Sequence, residues 1–277
     1  MYLATIRTGT STHAVKRITS EGTDVLLDLG YDDVGALLAD PDGLTTVAAA
    51  TVGTTYALAG ADFAPPVPHP DKVVCVAHNY GDQHTLLGVR VPERPRLSTK
   101  FSSALIGPND PIVQPADAHR LQTAVELGII IGAPVRHADD DEAAAAIAGF
   151  TVLNDVTDRD LGFEFTQWGT ATIWDHSTPI GPWLVTPDEL PGGTAPQLTL
   201  TARVDGTPVQ SGSTVEAHFD PVRVVRHVSR YLQLNPGDVI ATGSPAHTGD
   251  ESTYLKPGQT VVAEIAGIGA CRNAVLT

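Results

Sequence analysis

The chain has 277 residues, a formal charge of −15 and 42% hydrophobic residues. That length holds one large domain, or a small domain beside a larger one, with ample core. The acidic balance disfavours nucleic acid or anionic membrane as partners, which need clustered Lys and Arg, and no run of about 18 apolar residues suggests a membrane-spanning helix.

Met1 to Arg7 alternates like a strand and lacks the apolar core of a signal peptide. Val25 to Gly30 reads as a strand, and Asp33 to Ala39 as a short helix stopped before Pro41. The run Ala64-Pro65-Pro66-Val67-Pro68-His69-Pro70 is a stiff connector, because proline fixes φ and donates no hydrogen bond. The expected organisation is therefore a small N-terminal domain over 1–64 and a larger domain over 70–277. Lys72 to Ala77 is a buried strand, and 81–96, rich in Gly and Pro, is a candidate lid. Cys75 and Cys271 have no CxxC partner, which fits buried packing and a reducing cytoplasm rather than a disulfide framework.

Leu127 to Ile131 is a continuous apolar run, typical of a strand covered on both faces. Asp139-Asp140-Asp141-Glu142 opens a helix that continues through the following alanines, acidic residues suiting the positive end of a helix dipole. Past Pro187 short strands dominate, over 198–204, 239–242 and 261–265, with an Asp205-Gly206 turn and one amphipathic helix from Asp220 to Tyr231. The class is α+β, with a large mixed sheet assembly and few helices.

Chemistry-bearing residues cluster on the motif-like segments. Glu126 opens the apolar run, Asn154-Asp155-Val156-Thr157-Asp158-Arg159-Asp160 follows, then Gln167-Trp168, Asp175 and Pro179-Ile180-Gly181-Pro182-Trp183. Upstream, the 72–77 strand leads into His78-Asn79-Tyr80; downstream stands Asn235-Pro236-Gly237-Asp238-Val239-Ile240-Ala241-Thr242-Gly243-Ser244-Pro245. The runs 209–214 and 265–269 complete the series. In this order the segments resemble the fumarylacetoacetate hydrolase family over about residues 70–277. No Gly-x-Ser-x-Gly elbow, P-loop, dinucleotide fingerprint or zinc-type Cys/His spacing competes with that resemblance.

The resemblance implies a mixed β-roll or sandwich beside a small N-terminal domain, usually a homodimer. It implies activities that cleave, decarboxylate, hydrate or isomerise small 2-oxo acids and 1,3-dicarbonyls. Family members carry Glu-x-Glu on a strand, which aims two carboxylates at one Mg²⁺, and an aspartate completes the oxygen site. Here Glu126 and Asp155 supply two of those ligands, but the first glutamate is Ala124. The family's water-activating histidine and glutamate after Asn-Tyr are Gln83 and Leu86; its glutamine after Arg-Asp is Gly162, and its lysine before Asp175 is Thr172. With the Gly and Pro framework spared, this reads as a rebuilt active site rather than drift.

The expected site is therefore degenerate for metal, with Glu126 and Asp155 its remaining ligands, no cofactor required and at most weak Mg²⁺ binding. His84, His176, His247 and Tyr80 are the catalytic candidates, imidazole titrating near working pH. Gln83, Arg159, Thr172, Asp175 and Ser244 are the substrate-binding candidates. Glu126 also reads as a satisfied strand glutamate, and Arg159 equally as an ion-pair partner of Asp158 or Asp160. The expected function is non-hydrolytic acid–base chemistry on a small enolisable carbonyl compound, possible without metal and fitting specialised metabolism. The rivals are a Mg²⁺-dependent C–C hydrolase and a non-catalytic binding subunit with the same fold.

Overall fold

The computed structural model describes residues 1–82, 88, 90–164, 169–248 and 253–277. At its centre lies the strand Val125–Ile131, buried along its whole length. Its apolar residues feed two cores: Val125, Leu127, Ile129 and Ile131 face one, and Ile130 faces the other. A strand with both faces covered needs no polar alternation, which is why it reads as a continuous apolar run.

On one side it pairs antiparallel with Ile147–Asn154, setting Val125 opposite Asn154 and Glu126 opposite Leu153. On the other it pairs with Val239–Ala241, which runs parallel to Val73–Ala77. Arg96–Lys100 closes that edge of a 12-stranded sheet. The opposite half of the same sheet contains Thr178–Val185 and the N-terminal strands Tyr2–Thr8, Ser11–Ser20 and Thr23–Asp28. The two halves join where Tyr2 pairs with Val185. The 64–70 connector has no regular structure and packs inward, with the Pro66 carbonyl accepting a 2.7 Å bond from Thr5 Oγ1.

A second, five-stranded sheet is built from Thr207–Ser213, Thr199–Val204, Thr260–Ile265, Gly269–Leu276 and Ile112–Val113. Its strands alternate, with Leu200, Ala202 and Val204 buried while their neighbours are more exposed, so one face lies on the core and the other meets solvent. Helices are few and short. Asp33 caps Val34–Ala39, Asp139 and Glu142 form a capping box on Asp140–Ala145, and Asp220 caps Pro221–Ser229. The architecture is α+β, mostly sheet. Among the described residues no helix is long and apolar enough to cross a membrane.

The strands expected near 72–77, 127–131, 151–154 and 239–242 thus belong to one sheet, and it brings the ends that carry Tyr80, Glu126, Asp155 and Ser244 into one region. Of the candidate lid, residues 83–87 and 89 lie outside the described residues. Its start is anchored, because Asp82 Oδ2 accepts a 2.7 Å bond from the Ala246 N–H.

Candidate active site at the ends of the central strands

Asn79 organises one wall. Its buried side chain donates to the carbonyls of Phe219 and Thr242, at 3.0 and 2.7 Å, and accepts from the Phe219 N–H at 2.8 Å. One amide thereby ties together three separate chain segments. Tyr80 follows, only 1% exposed, and its hydroxyl has no hydrogen-bond partner among the described residues. Burial pushes that phenol well above its ordinary range, with the charges of Glu126, Glu216 and Asp82 adding to the effect.

Glu126 is buried at the next strand end, and its Oε2 accepts a 2.7 Å bond from the Gly243 N–H. Gly243 has φ +86°, and a Cβ there would lie 2.9 Å from Asn79 Cβ, so glycine alone lets the backbone reach the carboxyl. Gln210 steadies the strand by accepting from the Val125 N–H at 2.9 Å while donating to the Pro245 carbonyl at 2.9 Å. Desolvation holds the Glu126 carboxyl well above the usual carboxylate range, and Asp155 pushes the same way. The Gly243 N–H and Lys100 only partly oppose this.

Asp155 faces this glutamate from the neighbouring strand end, its N–H donating to the Ala124 carbonyl at 2.8 Å. Its Oδ1 lies 2.8 Å from Lys100 Nζ and accepts from Thr172 Oγ1 at 3.0 Å. Lys100 Nζ donates in turn to the Thr172 carbonyl at 2.7 Å. Lys100 is almost fully buried, a position that charged residues hold only when paired. Cys75 is buried close to the same charges, and burial, reinforced by Asp155, pushes its thiol up, so it is no thiolate nucleophile.

Arg159 is half-buried and donates from Nε to Gln122 Oε1 at 2.7 Å. Burial draws its pKa down, opposed by the nearby charge of Asp155. The expected pairing with Asp158 or Asp160 is not what forms. Asp160 pairs with Arg120 at 3.3 Å, and Asp158 accepts from the backbone N–H groups of Arg120 and Leu161.

The other candidates divide. Ser244 is buried beside Gly243, and His247 is half-buried, bridged through its backbone to Gln210. Asp175 and His176 are exposed, with His176 at φ +56° in a turn that bonds to Ser103 and Val113. Gln83 and His84 lie outside the described residues. Lys100, Gln122 and Gln210 were not singled out from the sequence. Each is a polar residue in a strand, and only the tertiary pairing turns it inward.

The residues present do not fit the Mg²⁺ that a Glu-x-Glu site implies. Ala124 offers no oxygen from its side chain, and an ammonium already sits on Asp155 Oδ1. Among the described residues no group of three or more His, Cys, Asp or Glu could hold one ion, whereas a hard divalent cation depends on carboxylate number and charge.

The chain matches the model "Fumarylacetoacetate (FAA) hydrolase C-terminal" over residues 72–276. It is 37% identical over 219 residues to a mitochondrial oxaloacetate tautomerase of Bos taurus, covering 77% of this chain and 69% of that one. It is 35% identical over 215 residues to a 2,4-didehydro-3-deoxy-L-rhamnonate hydrolase of a Sphingomonas strain, covering 76% and 75%. Among solved structures, a 5-carboxymethyl-2-hydroxymuconate delta-isomerase from Mycobacterium smegmatis superposes with a TM-score of 0.82 at 30% identity, covering 100% of this chain and 98% of that one.

Proposed function

The chain belongs to the fumarylacetoacetate hydrolase family, and from that premise we propose a metal-independent, non-hydrolytic enzyme that moves a proton on a small enolisable carbonyl compound. The substrate class is a 2-oxo acid or a 1,3-dicarbonyl. One observation carries the reading: where the family pattern has a third carboxylate this chain has Ala124, and the Asp155 carboxylate is bonded to the Lys100 ammonium.

The chemistry follows from the groups at hand. A carbonyl compound enolises when a base takes the proton from the carbon beside the carbonyl and a donor stabilises the charge that develops on oxygen. Glu126 is suited to carry that proton. Among the described residues one bond reaches its carboxyl, from the Gly243 N–H to Oε2, and a carboxyl held above the usual carboxylate range exchanges protons more readily than an ordinary glutamate. Tyr80 offers a buried hydroxyl to the oxygen, and Arg159 offers a guanidinium to a carboxylate. With Gln83 and Leu86 where the family has its water-activating pair, no group is assigned to deliver hydroxide. The histidines enter as proton partners, His84 first. The two buried thiols fit a reducing compartment such as the cytoplasm, and a homodimer is the assembly that family membership suggests.

Two relatives favour this class by name, one a tautomerase and one an isomerase. The Mg²⁺-dependent C–C hydrolase stays as the second reading, because the charge of Asp155 acts on Glu126 and another relative is named a hydrolase. The test is proton exchange in D₂O containing EDTA, followed by NMR on a panel of 2-oxo acids and acylpyruvates. The expected result is deuterium uptake or tautomerisation with the carbon skeleton intact. Cleavage into two acids, dependent on added Mg²⁺, would overturn the proposal in favour of the hydrolase.

A further inference from the structure

The solvent side of the helix Pro221–Ser229 carries a cationic strip. Arg223, the half-buried His227, and Arg230 and Tyr231 at the helix end recur at helical spacing, while Val224, Val225 and Val228 turn into the core. Acids outnumber cations 32 to 17 in this chain, so an arginine can readily find a carboxylate. Arg226, on the flank of the helix, does so with Asp140 at 2.8 Å. Among the described residues Arg223, Arg230 and the exposed Arg94 have no acidic partner. His227 bonds to the backbone of Pro95 and sets its ring 5.3 Å from that of Tyr231, so the strip adjoins the segment entering Arg96–Lys100. That strand pairs with Val73–Ala77 on one side, and among the described residues no strand pairs with its other edge. Leu97 stands opposite Val76, which shares a core with Val224 and Val225, so Leu97 lies on the helix side of the sheet. Phe101 continues in extended backbone four residues on and faces the same side. Both are exposed, by 37% and 59%.

A single exposed leucine needs no explanation. An apolar row, an open sheet edge and three arginines without acidic partners on one side of the sheet are the makings of a recognition surface. We propose that this face docks an acidic, extended segment of another protein, laid along Arg96–Lys100 as an added strand. Its apolar side chains rest on Leu97 and Phe101, and its carboxylates point to Arg94, Arg223 and Arg230. Charge selects this occupant. A second copy of the chain meeting the face edge to edge would set Arg96 and the arginine strip against their like. A second copy meeting it with a different face makes a contact that does not close on itself and can grow without limit. A long polyanion such as nucleic acid would run off the strip onto a molecule of net charge −15. A short acidic segment meets none of these obstacles: main-chain bonds from the open edge hold it, and the arginines fix its register.

The probe is a short labelled peptide of alternating glutamate and valine, titrated into the protein by fluorescence anisotropy at low salt. Wild type is expected to bind it, to release it as salt rises, and to ignore the lysine–valine counterpart. Arg223→Glu/Arg230→Glu should weaken binding by at least about tenfold, and Leu97→Gln should weaken it without changing its salt dependence. All three positions are exposed, so the variants are expected to melt as wild type does. Hydrogen exchange locates the peptide: amides of 96–100 should slow when it binds. Absence of binding by wild type, full binding by the charge-reversed variant, or unchanged exchange over 96–100 overturns the proposal. Equal binding of a glutamate–glycine peptide, or full competition by pyrophosphate, reduces the face to an anion site and overturns it too. A change in subunit number on charge reversal, read by analytical ultracentrifugation, assigns the face to a second copy of the chain and does the same.

Discussion

The two carboxylates of the site are held on different terms. Glu126 is bonded by a backbone N–H, that of Gly243, whose approach depends on the absence of a Cβ and on the Asn79 side chain beside it. Asp155 is bonded by side chains, Lys100 and Thr172. Groups fixed by backbone are expensive to change, because a new side chain must move strands. Groups fixed by side chains can change by substitution alone, although a buried pair such as Lys100–Asp155 must change together. The departures from the family pattern follow that division: the glycine and asparagine framework is intact, while Ala124 and Thr172 stand on the side-chain-built half. A catalytic repertoire can therefore shift while the cradle stays.

The largest expected effect comes from the backbone-held carboxylate. Glu126→Gln keeps the shape and removes the proton carrier, so kcat should fall on the order of 10²–10⁴-fold, with KM little changed. The same variant has a pH signature in stability. The folded-state pKa of Glu126 is raised, so the native state binds this proton more tightly than the unfolded chain. Its contribution is complete below the ordinary glutamate pKa and is lost as pH rises towards the folded value. Wild type should therefore lose thermal stability relative to Glu126→Gln between about pH 4.5 and the folded value. A flat difference across that range contradicts the buried-acid account.

Next in size is His84→Ala, expected to cost on the order of 10²-fold in kcat if the segment after Tyr80 supplies the second proton group. His13→Ala is its control. His13 pairs with Asp28 and packs on Tyr56 in the N-terminal strands, and its loss should leave turnover unchanged. Normal turnover by His84→Ala beside a dead His247→Ala moves the role to the Ser244–His247 loop.

Gly243→Ala tests the cradle itself. A Cβ 2.9 Å from Asn79 Cβ and 3.0 Å from the Val76 carbonyl, at φ +86°, should cost about 1–3 kcal/mol of stability. It should also lower kcat by displacing the N–H that Glu126 needs. The smallest effect has a diagnostic sign. Tyr80→Phe removes a buried hydroxyl that has no partner among the described residues, so stability should stay level or rise by up to about 1 kcal/mol. Activity should fall if the phenol serves substrate. Loss of stability with unchanged activity would make Tyr80 a structural residue.

Much of this architecture is legible in the sequence because its central strands are apolar runs and its helices carry explicit caps. Val125–Ile131 and the Asp139/Glu142 capping box are examples. Lys100 was not legible. It ends an edge strand whose preceding residues, Arg96 to Thr99, are mostly exposed, and nothing in that polar run says that only the last side chain turns inward. Arg159 misleads for a related reason. Adjacent acids suggest an ion pair, but pairing of Leu121–Gln122 with Thr157–Asp158 brings Arg120 to Asp160 and offers Gln122 to Arg159. His176, attractive beside Asp175, turns out exposed in a turn. Strand periodicity reports which residues are covered, whereas a polar site is decided by neighbours far along the chain.

Metal dependence tests the central claim most directly. Protein purified without chelator is assayed for Mg²⁺ and Mn²⁺ by elemental analysis, then for proton exchange on a 2-oxo acid before and after EDTA. The account predicts far less than one metal per chain and exchange that survives the chelator. Stoichiometric metal, with EDTA abolishing turnover and Mg²⁺ restoring it, would contradict the account and return Glu126 and Asp155 to the role of metal ligands.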